Sequence, residues 1–549
     1  MELKLKTVSS LEKVFADEEL HAPVLKGASA LRGEVFSFQL ACWSDLSAEL
    51  TVEVDSPFEN IEIRETALVP CEVPADEPGE KPDLLRTTPG LYPDPLMPID
   101  QKIKVVQKQW RTIWVTVRIK ENEEAGKKTI SFKAKTLVAH LDETAEAETE
   151  FNLEVLPKAL PEQKLIHTEW FHADCIYSFY KVECWSEEYW ELLNKYIGNF
   201  ASHGMNMLLT PLWTPPLDTK VGGERPTVQL LDIEKTGDKF IFDFARLGRW
   251  IDLSLKNGIK YFEMAHPFTQ WGAECCPKII VRENGEDKKM FGWHTSSRCD
   301  EYVSFLRQLF PELLAFLEAK GIKEKCFFHI SDEPHVEHIP NYKPCAELIK
   351  ELVQGAPIVD ALSNVEFYRN GLVENPIPCN NHIEPFVDED VKPLWTYYCI
   401  SQREKVPNRF FNFPSYRNRV MGVLMYKYDI YGFLQWGYNF WYSQYSINQK
   451  LDPFKSTDAG RGFASGDAFM VYPGEDGPID SIRNEVMFEA VQDLRALREL
   501  ESLQGREATL ALIHDGLDYE LKMTDYPRSS AWLLELRERV NRAIIEQSE

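Results

Sequence analysis

Up to residue 157 the apolar residues recur at every second position. In "WRTIWVTVRIK" Ile113, Val115, Val117 and Ile119 point one way, and Trp114, Thr116 and Arg118 the other, the period of a half-buried strand. "TVEVD", "NIEIRE", "KKTISFKAKTL" and "TEFNLEVL" repeat the pattern between turns of Gly, Pro and charged residues. Short strands at this spacing predict a β-sandwich over residues 1–157. Pro157 to Pro161 then reads as a linker.

Beyond the linker the period lengthens. In "SEEYWELLNKYIGNF" Tyr189, Leu193, Tyr196, Ile197 and Phe200 share one helical face, with Ser186 placed to cap it. Gly204 follows, then a short apolar strand. "FDFARLGRWIDLSLKN" with Gly258 and "DEYVSFLRQLFPELLAFLEAK" with Gly321 repeat the unit. A glycine just past a helix takes the left-handed conformation that turns the chain back. Repeated helix–glycine–strand units predict a parallel sheet. Candidate strands begin near Leu165, Met205, Ile259, Lys325, Pro357, Pro376, Leu394 and Gly432. The expected fold class is α/β, a (β/α)8 TIM-like barrel over 162–502 behind the N-terminal sandwich. A doubly wound sheet is the alternative, but it usually carries a G-x-G-x-x-G loop after its first strand, and none stands here. A helix from about Asn484 to Glu501 is expected to close the barrel. Residues 503–549, with "ATLALI" and the amphipathic "SSAWLLELRERVNRAIIEQ", read as a C-terminal appendage.

Charge and cysteine content narrow the partners. A net charge of −26 repels a nucleic-acid backbone. No apolar run of about 18 residues occurs, and "MELKLKTVSSLEKVF" lacks the shape of a signal peptide. The expectation is a cytoplasmic protein with no membrane or nucleic-acid partner. The 11 cysteines include no C-x-x-C pair, which suits reduced thiols.

The tripeptide Asp-Glu-Pro occurs twice. Asp76-Glu77-Pro78 stands in a Pro-rich stretch that reads as a solvated loop. Asp332-Glu333-Pro334 ends the fourth candidate strand, and in a barrel the C-terminal strand ends carry the chemistry. Neighbours in a strand face opposite ways, so both acids reach one pocket only where the strand gives way to a loop. Pro334 biases Glu333 toward extended backbone. Paired carboxylates suit glycoside hydrolysis, but the usual retaining pair sits about 5 Å apart, typically on different strands. Adjacent acids fit the substrate-assisted variant, in which the sugar's 2-acetamido oxygen is the nucleophile. Glu333 would serve as general acid, then base, and must hold its proton near neutral pH. Asp332 would stay ionised, hold the acetamido N–H and stabilise the oxazolinium charge. Asp-Glu also occurs at 17–18, 142–143, 300–301 and 388–389, so its place carries the reading more than the letters.

"HISDEP" at 329–334, "LYPDPLMP" at 91–98, "LWTYYC" at 394–399, "GFLQWGYNFW" at 432–441 and "SGDAFMVYPGEDGPIDSIRNE" at 465–485 together resemble glycoside hydrolase family 123 and its uncharacterised relatives. The resemblance spans about residues 20–500. It implies a β-sandwich before a (β/α)8 barrel, and retaining β-N-acetylgalactosaminidase activity by the acetamido-assisted route. Asp332 would orient the acetamido group and Glu333 would be the acid/base. The chain departs from the family pattern at Ser465-Gly466-Asp467, where relatives often have Asn-Gly-Asp, and in "VMFEAVQD", where they usually carry an Arg-x-Gly turn.

Other residues complete the expected pocket. Trp436 and Trp441 flank the eighth strand's end, where aromatic faces suit a sugar ring or pack the core. Tyr397, chosen over the oppositely facing Tyr398, would donate to the acetamido oxygen. Asn439 and Tyr438 are candidates for sugar hydroxyls. His329 either contacts an acid or sugar hydroxyl or is a satisfied core histidine. His266 and Trp170 end the third and first strands. His329, Asp332, Glu333, His335 and His338 match no standard metal spacing, so no metal or cofactor is expected. The expected substrate is a small glycan or glycoconjugate. A glycosidase of another sugar specificity and a non-catalytic carbohydrate-binding protein on the same fold are the alternatives.

Overall fold

The computed structural model describes residues 1–77, 83–100, 102–138, 143–217, 220–446 and 451–548. Pro78 and the Asp142 of one Asp-Glu pair lie outside the described residues. The N-terminal part forms two five-stranded sheets. One contains Val35–Ser44, Trp110–Arg118 and Ile61–Cys71 side by side; the other contains Ala48–Asp55, Gly126–Val138 and Glu143–Ala159. Phe38, Ile113, Val115 and Val117 from the first meet Leu50, Val52, Phe132 and Phe151 from the second in one apolar cluster. The alternating residues of "WRTIWVTVRIK" thus face as their period requires. Trp114, Thr112 and Thr116, on the opposite face, are also buried. That face is covered: Arg64, on the neighbouring strand, donates to Thr116 (2.9 Å) and pairs with Asp480 (2.8 Å) and Glu485. The expected linker starts later than Pro157, because the strand Glu143–Ala159 runs through it.

Eight short parallel segments then follow in chain order: Ile166–Glu169, Met207–Thr210, Tyr261–Met264, Cys326–Phe327, Val359–Ala361, Asn375–Ile377, Trp395–Tyr397 and Gly432–Gln435. They form three small sheets, joined by single bridges Phe328–Ile358 and Cys379–Tyr397. The first and second segments meet through Asn206, whose N–H donates to the His167 carbonyl (2.9 Å). No continuous ladder closes the eight into a barrel among the described residues. Between segments, Ser186 caps Glu187–Ser202 by accepting from the Tyr189 N–H (3.3 Å), and Gly204, Gly258 and Gly321 all have positive φ.

The helix Ile482–Gln504 lies in the centre of the molecule and is buried over most of its length. It is clamped by ion pairs rather than by an apolar stripe alone. Arg483 binds Asp94 through two bonds (2.9 and 2.8 Å), and the Tyr472 hydroxyl donates to the same carboxylate (2.5 Å). "LYPDPLMP" and "PGEDGPIDSIRNE" are therefore where the N-terminal sheets meet the central helix and the stretch before it. The C-terminal appendage has a structural place. Helix Ser530–Glu546 sends Arg537 to Asp493 (2.8 Å) and Glu34 (2.6 Å), tying the central helix to the N-terminal sheets.

Candidate active site

A pocket of about 220 Å³ opens at the C-terminal ends of the parallel segments. Asp332 and Glu333 both line it. The backbone explains how adjacent residues share one cavity. Glu333 has φ +43°, a left-handed conformation that breaks strand alternation. The extended backbone expected from Pro334 is therefore not found. The fifth and seventh segments hold Glu333 in place: the Glu333 N–H donates to the Ala361 carbonyl (3.0 Å) and its Oε1 accepts from the Tyr397 hydroxyl (2.6 Å). Asp332 is buried, and its carbonyl accepts from the Trp271 N–H (2.8 Å).

Trp170, Trp436 and Tyr397 also line the cavity. Trp436 is fixed from behind: its indole N–H donates to Asp467 Oδ2 (3.0 Å), and its carbonyl meets His172 Nε2 (2.7 Å). Burial pushes Asp467 up to about 7, against the pull of Arg409 and the Trp436 N–H. Asp467 belongs to Ser465-Gly466-Asp467, which gives that motif a role in holding a pocket wall. Trp170 rests on the floor, its N–H donating to Glu263 (2.8 Å).

The remaining candidates sit elsewhere. Trp441 packs against Phe179 and Tyr196 and donates to the Val471 carbonyl (3.1 Å), so it belongs to the core. Tyr438 stacks on Phe171 and donates to Asn199 (2.8 Å). Asn439 clasps the backbone of His172 from both sides (2.8 and 3.1 Å). None of these three lines the pocket, because the chain turns inward after Trp436 to meet the helix Ala173–Tyr180. His329 and His266 are fully buried and stacked on each other, centroids 3.8 Å apart. They lie in a buried layer that meets Trp170 edge-on, not in the lining itself.

His266, His329 and Asp360 bring ligand-type atoms within 4.8 Å of one another. The geometry does not favour a metal: near-parallel rings aim their lone pairs side by side, and both His329 nitrogens already meet carboxylates. The His335 backbone N–H donates to His338 Nδ1 (3.0 Å), and neither residue lines the pocket.

Several lining residues escaped the sequence reading: Gln270, Trp271, Cys399, Gln444 and Phe463. They stand on loops beyond the strand ends, where no periodicity marks them. Glu263 and Asp360 did leave a signal, an acid inside the apolar runs "YFEMA" and "IVDAL". The other Asp-Glu-Pro is not a free loop. Glu77 is held by Arg417 (3.0 Å) and two backbone N–H groups, of Asp83 (2.6 Å) and Lys405 (2.7 Å), and Asp76 pairs with Arg403. It pins the N-terminal part to the loop after the seventh segment.

The family model for the glycoside hydrolase 123 catalytic domain matches residues 170–500. No curated protein matches the sequence. Among solved structures, the fold matches a family 123 glycoside hydrolase from Clostridium perfringens, described for glycolipid glycan hydrolysis. The TM-score is 0.75 at 14% identity, covering 100% of this chain and 98% of that one. A Parabacteroides merdae β-glucuronidase gives a TM-score of 0.26 at 10% identity, over 79% of this chain and 46% of that one, too slight a likeness to build on. The matched span takes in Asp332, Glu333 and all of the lining around them, and the chain belongs to glycoside hydrolase family 123.

Proposed function

We propose that the protein is a retaining exo-acting hydrolase of β-linked N-acetylhexosamine, GalNAc preferred, working through an oxazolinium intermediate. The observation that carries this reading is the left-handed Glu333, which brings two adjacent carboxylates into one aromatic-walled cavity. Glu333 protonates the leaving oxygen and then activates water. Asp332 holds the acetamido N–H. The Tyr397 hydroxyl, now on Glu333, lies where it can turn to the acetamido oxygen. Trp436 and Trp170 offer aromatic faces to the sugar. A cavity of about 220 Å³ is smaller than the roughly 300–1,000 Å³ of drug-sized sites and suits one terminal sugar. On this reading the eight segments act as a (β/α)8 barrel over 162–502, behind a sandwich of 1–157 and followed by the appendage 503–549.

The test is hydrolysis of aryl β-N-acetylgalactosaminide by the parent protein, Glu333→Gln and Asp332→Asn. Loss of general acid catalysis lowers kcat by about 10²–10⁴ in Glu333→Gln. A thiazoline mimic of the cyclised intermediate is expected to inhibit the parent strongly. Full activity in Glu333→Gln would remove the proposal.

A further inference from the structure

Beneath the acid pair lies a buried chain of charged groups that the proposed reaction does not use directly. Glu263 Oε1 meets His329 Nε2 (2.7 Å) and accepts from the Trp170 N–H (2.8 Å), while Oε2 accepts from the Thr168 hydroxyl (2.7 Å). On the other side of the ring, Asp360 Oδ1 meets His329 Nδ1 (3.1 Å). Asp360 also accepts from the Ile330 N–H (3.0 Å), the Ser331 N–H (3.2 Å) and the Tyr342 hydroxyl. Every other bond to these two carboxylates comes from a donor. With both carboxylates ionised, the ring between them donates from both nitrogens, which only an imidazolium does.

We propose that His329 is a positioning residue, charged at neutral pH and clamped between Glu263 and Asp360, that sets the geometry of Asp332-Glu333 and leaves one net negative charge beneath the pocket. This rests on the proposed function. Asp360 grips residues 329, 330 and 331 in succession, and Ala361, its neighbour, accepts from Glu333 itself. Glu263 links the same ring to Trp170, which lines the cavity. The acid pair and the floor are thereby locked to one ion. The net charge comes from two carboxylates and one imidazolium. It favours the positive charge that develops on the sugar, and it acts without reorganising.

The groups facing His329 are Glu263, Asp360 and the stacked His266, with Tyr342 behind Asp360. Burial opposes the charge on His329, but bonds to Asp360 and Glu263 push it up to about 9. Burial and the His329 charge together hold His266 well below its usual value, keeping it neutral against the charged ring.

The test measures kcat and KM against pH for the parent, His329→Gln, Glu263→Gln and Asp360→Asn, with NMR titration of the histidine imidazoles, His329 being assigned by its variant. The expected parent kcat falls as pH rises through about 9, with KM little changed. His329→Gln is expected to lose about 10² in kcat through misplacement of the acids. The near-isosteric Glu263→Gln, which keeps the ring in place, is expected to move the alkaline limb and the ring titration down by about one pH unit or more. A His329 ring that titrates below pH 7 in the parent would overturn the clamp, even if every aryl glycoside proved inert. If Glu333→Gln is dead while His329→Gln keeps the parent's kcat and pH profile, the clamp fails and the proposed function stands. If Glu333→Gln is fully active, the proposed function fails and the ring titration alone judges the charge.

Discussion

At the scale of single residues, Glu333 shows how local conformation and chemistry meet. A left-handed non-glycine residue costs on the order of 1–3 kcal/mol and persists only where its surroundings hold it. Here the Ala361 carbonyl and the Tyr397 hydroxyl do so. Glu333→Gly is therefore expected to abolish hydrolysis and to be more stable than Glu333→Ala, which loses the same Tyr397 bond but keeps a Cβ at this φ. A Tm no higher than that of Glu333→Ala would show that the conformation is not strained. Tyr397→Phe removes the hydroxyl bonded to the acid, and a kcat loss of about tenfold or more is expected. Asp467 gives a pH test. Its folded value near 7 lies above its ordinary 3.8, so the folded state binds the extra proton and stability falls as pH rises between them. Asp467→Asn keeps an acceptor for Trp436 and cannot ionise. Its Tm advantage over the parent is expected to be greater at pH 8 than at pH 4, a difference calorimetry would measure. Asp332, Glu333, Trp170, Trp436 and Tyr397 were legible in the sequence because each ends a countable strand. The left-handed turn was not, because Pro334 by itself argues for extended backbone and tertiary hydrogen bonds overrode it.

At the scale of elements, the helices and segments could be read because glycine stops and apolar periods are local signals. What could not be read is which second face gets covered. Trp114 and Thr116 alternate outward as if toward water, yet the central helix Ile482–Gln504 and its partners bury them. Trp441, Tyr438 and Asn439 illustrate the same limit: residues just past a strand end can line a pocket or turn into the core with the same letters. The central helix packs tightly on Met421–Lys427, where a Cβ on Gly422 would come within 2.0 Å of the Ala490 carbonyl oxygen. Gly422→Ala is thus expected to force the helices apart and destabilise by about 1–3 kcal/mol, as measured by denaturant unfolding. The Asp94–Arg483 pair is buried on both sides. Asp94→Asn leaves the guanidinium without its counter-charge, and a loss of about 3–5 kcal/mol is expected.

At the scale of the molecule, charge joins the parts that the apolar pattern separates. His203 sits between Asp480 and Glu485, which Arg64 reaches from the N-terminal sheet. Burial opposes its charge, yet those carboxylates push it up to about 9. Its stabilising contribution is full below about 6.5 and disappears as pH rises through about 9. The protein is accordingly expected to lose Tm between pH 7 and pH 10, and His203→Gln to flatten that loss. These links were invisible in the sequence, since Arg64, His203 and Glu485 lie far apart along it. The central claim, that Asp332 and Glu333 work with the substrate's own acetamido group, has one direct measurement: initial rates on an aryl β-N-acetylgalactosaminide and on the aryl β-galactoside with the same leaving group. Turnover of the first and none measurable of the second is expected; equal rates on both would contradict participation of the acetamido group.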